Sequence, residues 1–215
     1  MTQKMQLLPD GTVSVSEEIQ NGVRTVRYFD VQRQLKLNII EKYNDRTIIT
    51  KFNSDGYTVQ SITVETAMGT KVYQKDGKTL IRDRELLPDG SENEHVYRQD
   101  GHTVERTTLY HASGNTYTTL YRPDGLTPTQ LIEQDVRGFS RISFYAPNGQ
   151  AVIKMIEDLS DGSTKTTFYK PDTHKIVSVE TGPLKGLKNK NVYRIEFYDE
   201  TGSKIIKTTE EVRPM

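Results

Sequence analysis

Residues 120–172 read LYRPDGLTPTQLIEQDVRGFSRISFYAPNGQAVIKMIEDLSDGSTKTTFYKPD. One unit recurs in this stretch: Leu120-Tyr121-Arg122-Pro123-Asp124-Gly125, Phe144-Tyr145-Ala146-Pro147-Asn148-Gly149 and Phe168-Tyr169-Lys170-Pro171-Asp172-Thr173. Tyr73, Tyr97, Tyr121, Tyr145 and Tyr169 stand 24 residues apart, each behind an apolar residue. Two ladders keep the same interval: Gly77, Gly101, Gly125, Gly149 and Thr173, and Gly90, Gly114, Gly138, Gly162 and Gly186. Three registers in step identify a repeat architecture.

Each unit decodes as a β-hairpin. The segments between the ladders are rich in Thr, Val, Ile, Tyr and Phe and alternate with period two. The turns read Pro-Asp-Gly, Lys-Asp-Gly, Gln-Asp-Gly and Pro-Asn-Gly. Pro presets φ, Asp or Asn bonds its own backbone and Gly accepts positive φ, the chemistry of a turn with a G1 bulge. Val96, Leu120, Phe144 and Phe168 fall in one column, and Leu80, Val104, Val152 and Ile176 in another. Pro128 shares the second column, and its missing N–H predicts a bulge or unpaired position there.

The ends are less regular. Leu7-Leu8-Pro9-Asp10-Gly11 echoes Leu86-Leu87-Pro88-Asp89-Gly90, and Gln20-Asn21-Gly22 reads as another turn. Residues 23–29, 35–41 and 47–52 read as strands, with Leu35, Leu37 and Ile39 on one face. Gly56 to Gly77 and Gly69 to Gly90 are 21 residues, so one unit is three residues short. The expected organisation is one repeat-built domain over 1–215. Degenerate units span 1–76, regular units 77–181, an insertion 182–191 and a last hairpin 192–215.

Composition agrees with a thin fold. Hydrophobic residues make up 33%, well below the roughly 45–50% of ordinary globular domains. Yet 12 Tyr, 6 Phe and the alternation argue against disorder. The expected fold is all-β, an elongated and largely single-layer antiparallel meander. The 29 basic and 29 acidic residues give zero net charge, so no global field favours nucleic acid or an anionic membrane. There is no Cys, and no run approaches a membrane span. The chain reads as cytoplasmic, or as a fragment of something larger.

No motif for catalysis emerges. His95, His102, His111 and His174 form no pair at ligand spacing; His102 and His174 read as strand starts. Turn chemistry accounts for Asp55, Asp76, Asp89, Asp100, Asp124, Asp161 and Asp172 without calcium. No nucleophile elbow, phosphate loop or dinucleotide fingerprint occurs. No catalytic residue, metal or cofactor is expected. Lys185, Lys188 and Lys190 lie in the one loop longer than its repeat requires, a place for an acidic or phosphate-bearing partner.

The segment Gln134-Asp135-Val136-Arg137-Gly138-Phe139, a strand, then Tyr145-Ala146-Pro147-Asn148-Gly149 resembles the extended β-sheet (hub) domain of bacterial accessory-Sec and wall teichoic acid glycosyltransferases. The resemblance implies a non-catalytic platform for subunit assembly. It also implies that the platform holds the acceptor, a Ser-rich polypeptide or a teichoic acid chain. No sugar-nucleotide domain accompanies it here. Phe144, Phe168, Phe197 and the three loop lysines are then the candidates for partner binding. Two other likenesses imply a spacer or shell. Phe197-Tyr198-Asp199-Glu200-Thr201-Gly202 resembles the Tyr-Asp repeat of toxin-encapsulating shells, and the Lys/Glu/Thr hairpins resemble a spirochaete outer-surface lipoprotein.

Overall fold

The computed structural model describes residues 4–18, 23–30, 36–183 and 191–213. All regular structure among them is β, in 18 strands. Contacts divide the chain into two units, Met1–Pro88 with Glu92–Thr103 and Asp89–Ser91 with Val104–Met215. The first unit holds β1 (Lys4–Leu7), β2 (Thr12–Glu18), β3 (Arg24–Asp30), β4 (Lys36–Lys42), β5 (Arg46–Phe52), β6 (Val59–Thr66), β7 (Gly69–Gln74), β8 (Leu80–Leu86) and β9 (Glu92–Tyr97). The second holds β10 (Val104–Tyr110), β11 (Thr116–Tyr121), β12 (Pro128–Gln134), β13 (Ser140–Tyr145), β14 (Val152–Asp158), β15 (Thr164–Tyr169), β16 (Ile176–Gly182), β17 (Asn191–Tyr198) and β18 (Ile205–Arg213). Within each unit every strand pairs antiparallel with its sequence neighbours and touches no other strand. Each unit is therefore a single-layer meander of hairpins.

Two turn sizes alternate along the meander. In the larger, the N–H of Gln74, Arg98, Arg122 and Ala146 donates to the carbonyl of Thr79, Thr103, Thr127 and Ala151. In the smaller, His111, Asp135 and Leu159 donate to Asn115, Phe139 and Ser163. The turn Asp serves as a cap: Asp124 Oδ1 accepts the N–H of Leu126 and Thr127, both at 2.9 Å, and Thr127 Oγ1 donates to Oδ2. Gly149 has φ 73°. A Cβ there would sit 2.7 Å from Thr127 Cγ2 and 2.8 Å from Pro128 Cδ, because the turn leans on the hairpin before it. Both demands select Gly. Where Thr173 fills that slot, the positive φ moves to His174 at 58°. His174 and His102 thus lie inside turns rather than starting strands, since the closing bonds run to Lys175 and Thr103.

These caps give the fold an acid limit. Asp76, Asp100 and Asp124 are each held down to about 2, first by the Thr hydroxyl and then by the backbone N–H donors. An unfolded Asp titrates near 3.9. The unfolded chain therefore takes up these protons first, and the stabilisation present above about pH 4 is lost as pH falls toward 2. Urea midpoints should be level across the upper acid range as far as these groups are concerned, and drop below about pH 4. The triple variant D76N/D100N/D124N should lose part of that slope. Asn148, whose Oδ1 accepts the Gln150 N–H at 3.1 Å, shows that the turn accommodates Asn. An unchanged slope would remove the caps as its cause.

The hairpins β3–β4, β5–β6, β7–β8, β11–β12, β13–β14, β15–β16 and β17–β18 each carry a register shift beside the aromatic column. Tyr145 opposes Val152 while Phe144 opposes Lys154, leaving Ile153 unpaired. Leu37, Gln60, Ile81, Thr129, Val177 and Ile206 are extra in the same way. The bulge expected at Pro128 is therefore present but general, set by the turn and not by the missing N–H. It also corrects the reading of residues 35–39: Leu37 is the extra residue, and the alternation breaks there. Leu35 and the Gln20-Asn21-Gly22 turn lie outside the described residues.

Burial matches one layer. Among the described residues the buried apolar side chains are Ala146, Ala151, Val179 and Val192, fewer than the buried polar ones. Cross-strand pairs, worth about 0.2–1 kcal/mol each, hold such a sheet in place of a thick core. Thr25 is 2% exposed, and its hydroxyl has no hydrogen-bond partner. An unsatisfied buried hydroxyl costs about 1–3 kcal/mol. Thr25→Val, of the same shape, should raise the unfolding free energy by about 1 kcal/mol in a urea titration; a loss of that size would mean that the hydroxyl is satisfied in solution.

Candidate binding face

In β13, alternation sends Ile142 and Phe144 to one face and Arg141, Ser143 and Tyr145 to the other. The register carries Phe144 into a row. It opposes Gln130 and Lys154, Lys154 opposes Phe168, Phe168 opposes Ser178, Ser178 opposes Phe197 and Phe197 opposes Lys207. Leu120 and Arg106 extend the row across β11 and β10. The three Phe picked out from sequence therefore share one face, on every second strand. Strand spacing sets them about 9.5 Å apart. Ile132, Ile142 and Ile156 pair across β12 to β14 in the adjoining row.

Cations stand between the rings. Lys154 Nζ lies 5.3 Å from the Phe144 centroid and 5.7 Å from that of Phe168, and Lys207 Nζ lies 5.7 Å from Phe197. Each lysine is within cation–π range. Neither has a carboxylate partner among the described residues. Phe168 is 36% exposed, while Phe144 and Phe197 are half-buried. The face presents half-exposed aromatic rings with uncompensated positive charge.

Farther along the same face Arg213 is paired with Glu180 at 2.7 Å; the opposite face also carries cross-strand ion pairs. Arg141 lies 3.0 Å from Glu157 and 3.8 Å from Glu133, and Lys165 lies 3.5 Å from Glu157. Charges there are compensated across strands. The aromatic column runs beside them, with Tyr121, Tyr145, Tyr169 and Tyr198 opposite Pro128, Val152, Ile176 and Ile205. Burial pushes the Tyr169 phenol up. Grooves of about 260, 290 and 330 Å³ occur in the two units, close to the lower end of the roughly 300–1,000 Å³ usual for small-molecule sites.

Arg137, in the most specific stretch of the resemblance, is engaged within its own turn. Its Nε and Nη2 donate to Asp135 Oδ2 at 2.9 and 2.7 Å, and its guanidinium lies 5.3 Å from the Phe139 centroid. The Asp135 carboxyl is held below its usual range, first by Arg137. The turn thus caps itself, with the Arg137 side chain largely exposed. Lys185, Lys188 and Lys190 lie outside the described residues.

Sequence reasoning missed one polar cluster. The small turn at Gly90 sets Asp83 opposite His95. His95 Nδ1 lies 2.9 Å from Asp83 Oδ1, and the Tyr97 hydroxyl donates to Asp83 Oδ2 at 3.1 Å. Burial, then the Asp83 charge, pushes Tyr97 up to about 12, so the phenol stays a donor. Counting outward from the turn would have found the pair. Among the described residues, no three His, Asp or Glu side chains gather to hold a metal. Among the described residues no helix is long and apolar enough to cross a membrane.

No protein-family model matches this chain, and no curated protein matches its sequence.

Proposed function

We propose that this sheet is a non-catalytic assembly and acceptor-binding platform of a bacterial protein or cell-wall glycosylation system, working in the cytoplasm. The observation that supports it is the Phe144–Phe168–Phe197 row with Lys154 and Lys207 between the rings. A large open face of alternating apolar and cationic groups suits a long, flexible ligand laid across strands better than a small substrate. The lysines favour an anionic polyol-phosphate chain of the teichoic acid type over a neutral Ser-rich polypeptide. A spacer needs the same turns and columns but not half-exposed rings with uncompensated charge.

The test pairs light scattering over a concentration series with titration of poly(ribitol phosphate) and of a Ser-rich peptide. Saturable, salt-sensitive binding of the polyanion is the expected result. Binding of neither probe, together with a monomer at every concentration, would leave the spacer.

A further inference from the structure

We infer that the outer edge of β18 is a self-association edge, along which two copies of this chain pair antiparallel about a two-fold axis. It rests on the assembly reading above and shares Lys207 with the Phe row. At nine residues β18 is the longest strand described, and within the second unit it pairs only with β17. A long edge is a template for another strand, and proteins usually blunt it by shortness, proline, charge, a bulge or a covering element; β18 carries charges of both signs, which a partner strand can pair, and the bulge at Ile206. β18 has no proline, and it exposes Ile206 at 64% and Val212 at 61% near its two ends.

The register follows from parity and charge. A two-fold axis between antiparallel strands of one sheet stands perpendicular to it, so facing residues must lie on the same side. Centring the axis on Thr209 meets that condition. It places Lys207 against Glu211 of the second copy, twice, and Ile206 beside Val212, twice. Shifting by one pair in either direction sets Ile206 against Glu210, or Glu210 against itself. The favoured register joins Lys207 to Glu211 on one face and Ile206 to Val212 on the other, where Thr208 faces Glu210; opposite-charge and apolar pairs are the kind that stabilise adjacent strands. It also closes on itself, since the two copies present the same edge to each other. Both copies would then show their Phe rows on the same side.

Sedimentation velocity on the full chain tests this with charge reversal. The wild type should rise with concentration from 24.6 kDa toward twice that mass. K207E and E211K should each weaken self-association at least about tenfold, since like charges then face each other twice. Mixing the two variants should restore a dimer, because every facing pair is again opposite in sign. The double variant K207E/E211K should pair like the wild type. E211Q, which gives up the Arg213 contact without reversing charge, should lie between. A wild type that stays monomeric overturns the inference, as do single variants that dimerise unchanged or masses that climb beyond the dimer. If F144S/F168S abolishes the dimer while the charge variants keep it, association belongs to the Phe face. The edge inference then fails and the platform reading stands.

Discussion

Gly69→Ala should lower the unfolding free energy by more than about 3 kcal/mol, the largest stability loss expected of any single methyl added to this fold. Gly69 has φ 146°, a region that residues with a Cβ rarely enter. A Cβ there would stand 1.9 Å from the Arg84 carbonyl oxygen and 2.9 Å from its carbon. Those atoms belong to β8, which pairs with β7 from Gly69 onward, so relief means separating strands. Gly138→Ala is the control. Its φ is 86°, but nothing lies within 4 Å of its added Cβ, so only the backbone term of about 1–2 kcal/mol applies. Urea denaturation of both variants separates the effects. Equal losses would mean that β8 gives way and that only the backbone conformation matters.

Gly69 also marks where sequence reading stops. It falls on the small-turn ladder if one unit is simply shortened, yet Thr66 pairs with Gly69 across the two residues Ala67 and Met68. The unit lost its Gly-bearing turn and closed tightly, so Gly69 is retained for its contact with a strand that the spacing does not reveal. The turns themselves were legible because their chemistry is local: Asp bonds the next N–H groups and Gly takes positive φ within a few residues. The bulges were legible only in part: the one at Pro128 was expected from its missing N–H, while the others show only when two strands are laid side by side. The row of Phe lay between these cases. Phe144 and Phe168 share the 24-residue interval, whereas Phe197 follows Phe168 by 29. It joins the row because the additional residues fall before Asn191, leaving Ser178 to face Phe197. The Asp83–His95 pair was hidden for the same reason as the bulges: local sequence carries each partner, and only register brings them together.

The second large effect should appear in binding. F144S/F168S should weaken the polyol-phosphate chain at least about 100-fold, equivalent to about 2.7 kcal/mol, the scale of an aromatic hot-spot pair. The fold should survive, since Phe168 is already 36% exposed and each ring contributes to stability mainly through cross-strand contacts. K154E tests charge separately. Lys154 lies over both rings without a carboxylate partner, so reversal should repel a polyanion while leaving both aromatic side chains in place. Exposed charges are screened within about 10 Å at 0.1 M salt, so wild-type affinity should fall steeply with salt and K154Q should fall less. The two variants divide the readings cleanly. Loss in F144S/F168S with a salt-independent wild type would point to a neutral acceptor held by the rings. Wild-type affinity in all three variants would take the Phe row out of the binding surface.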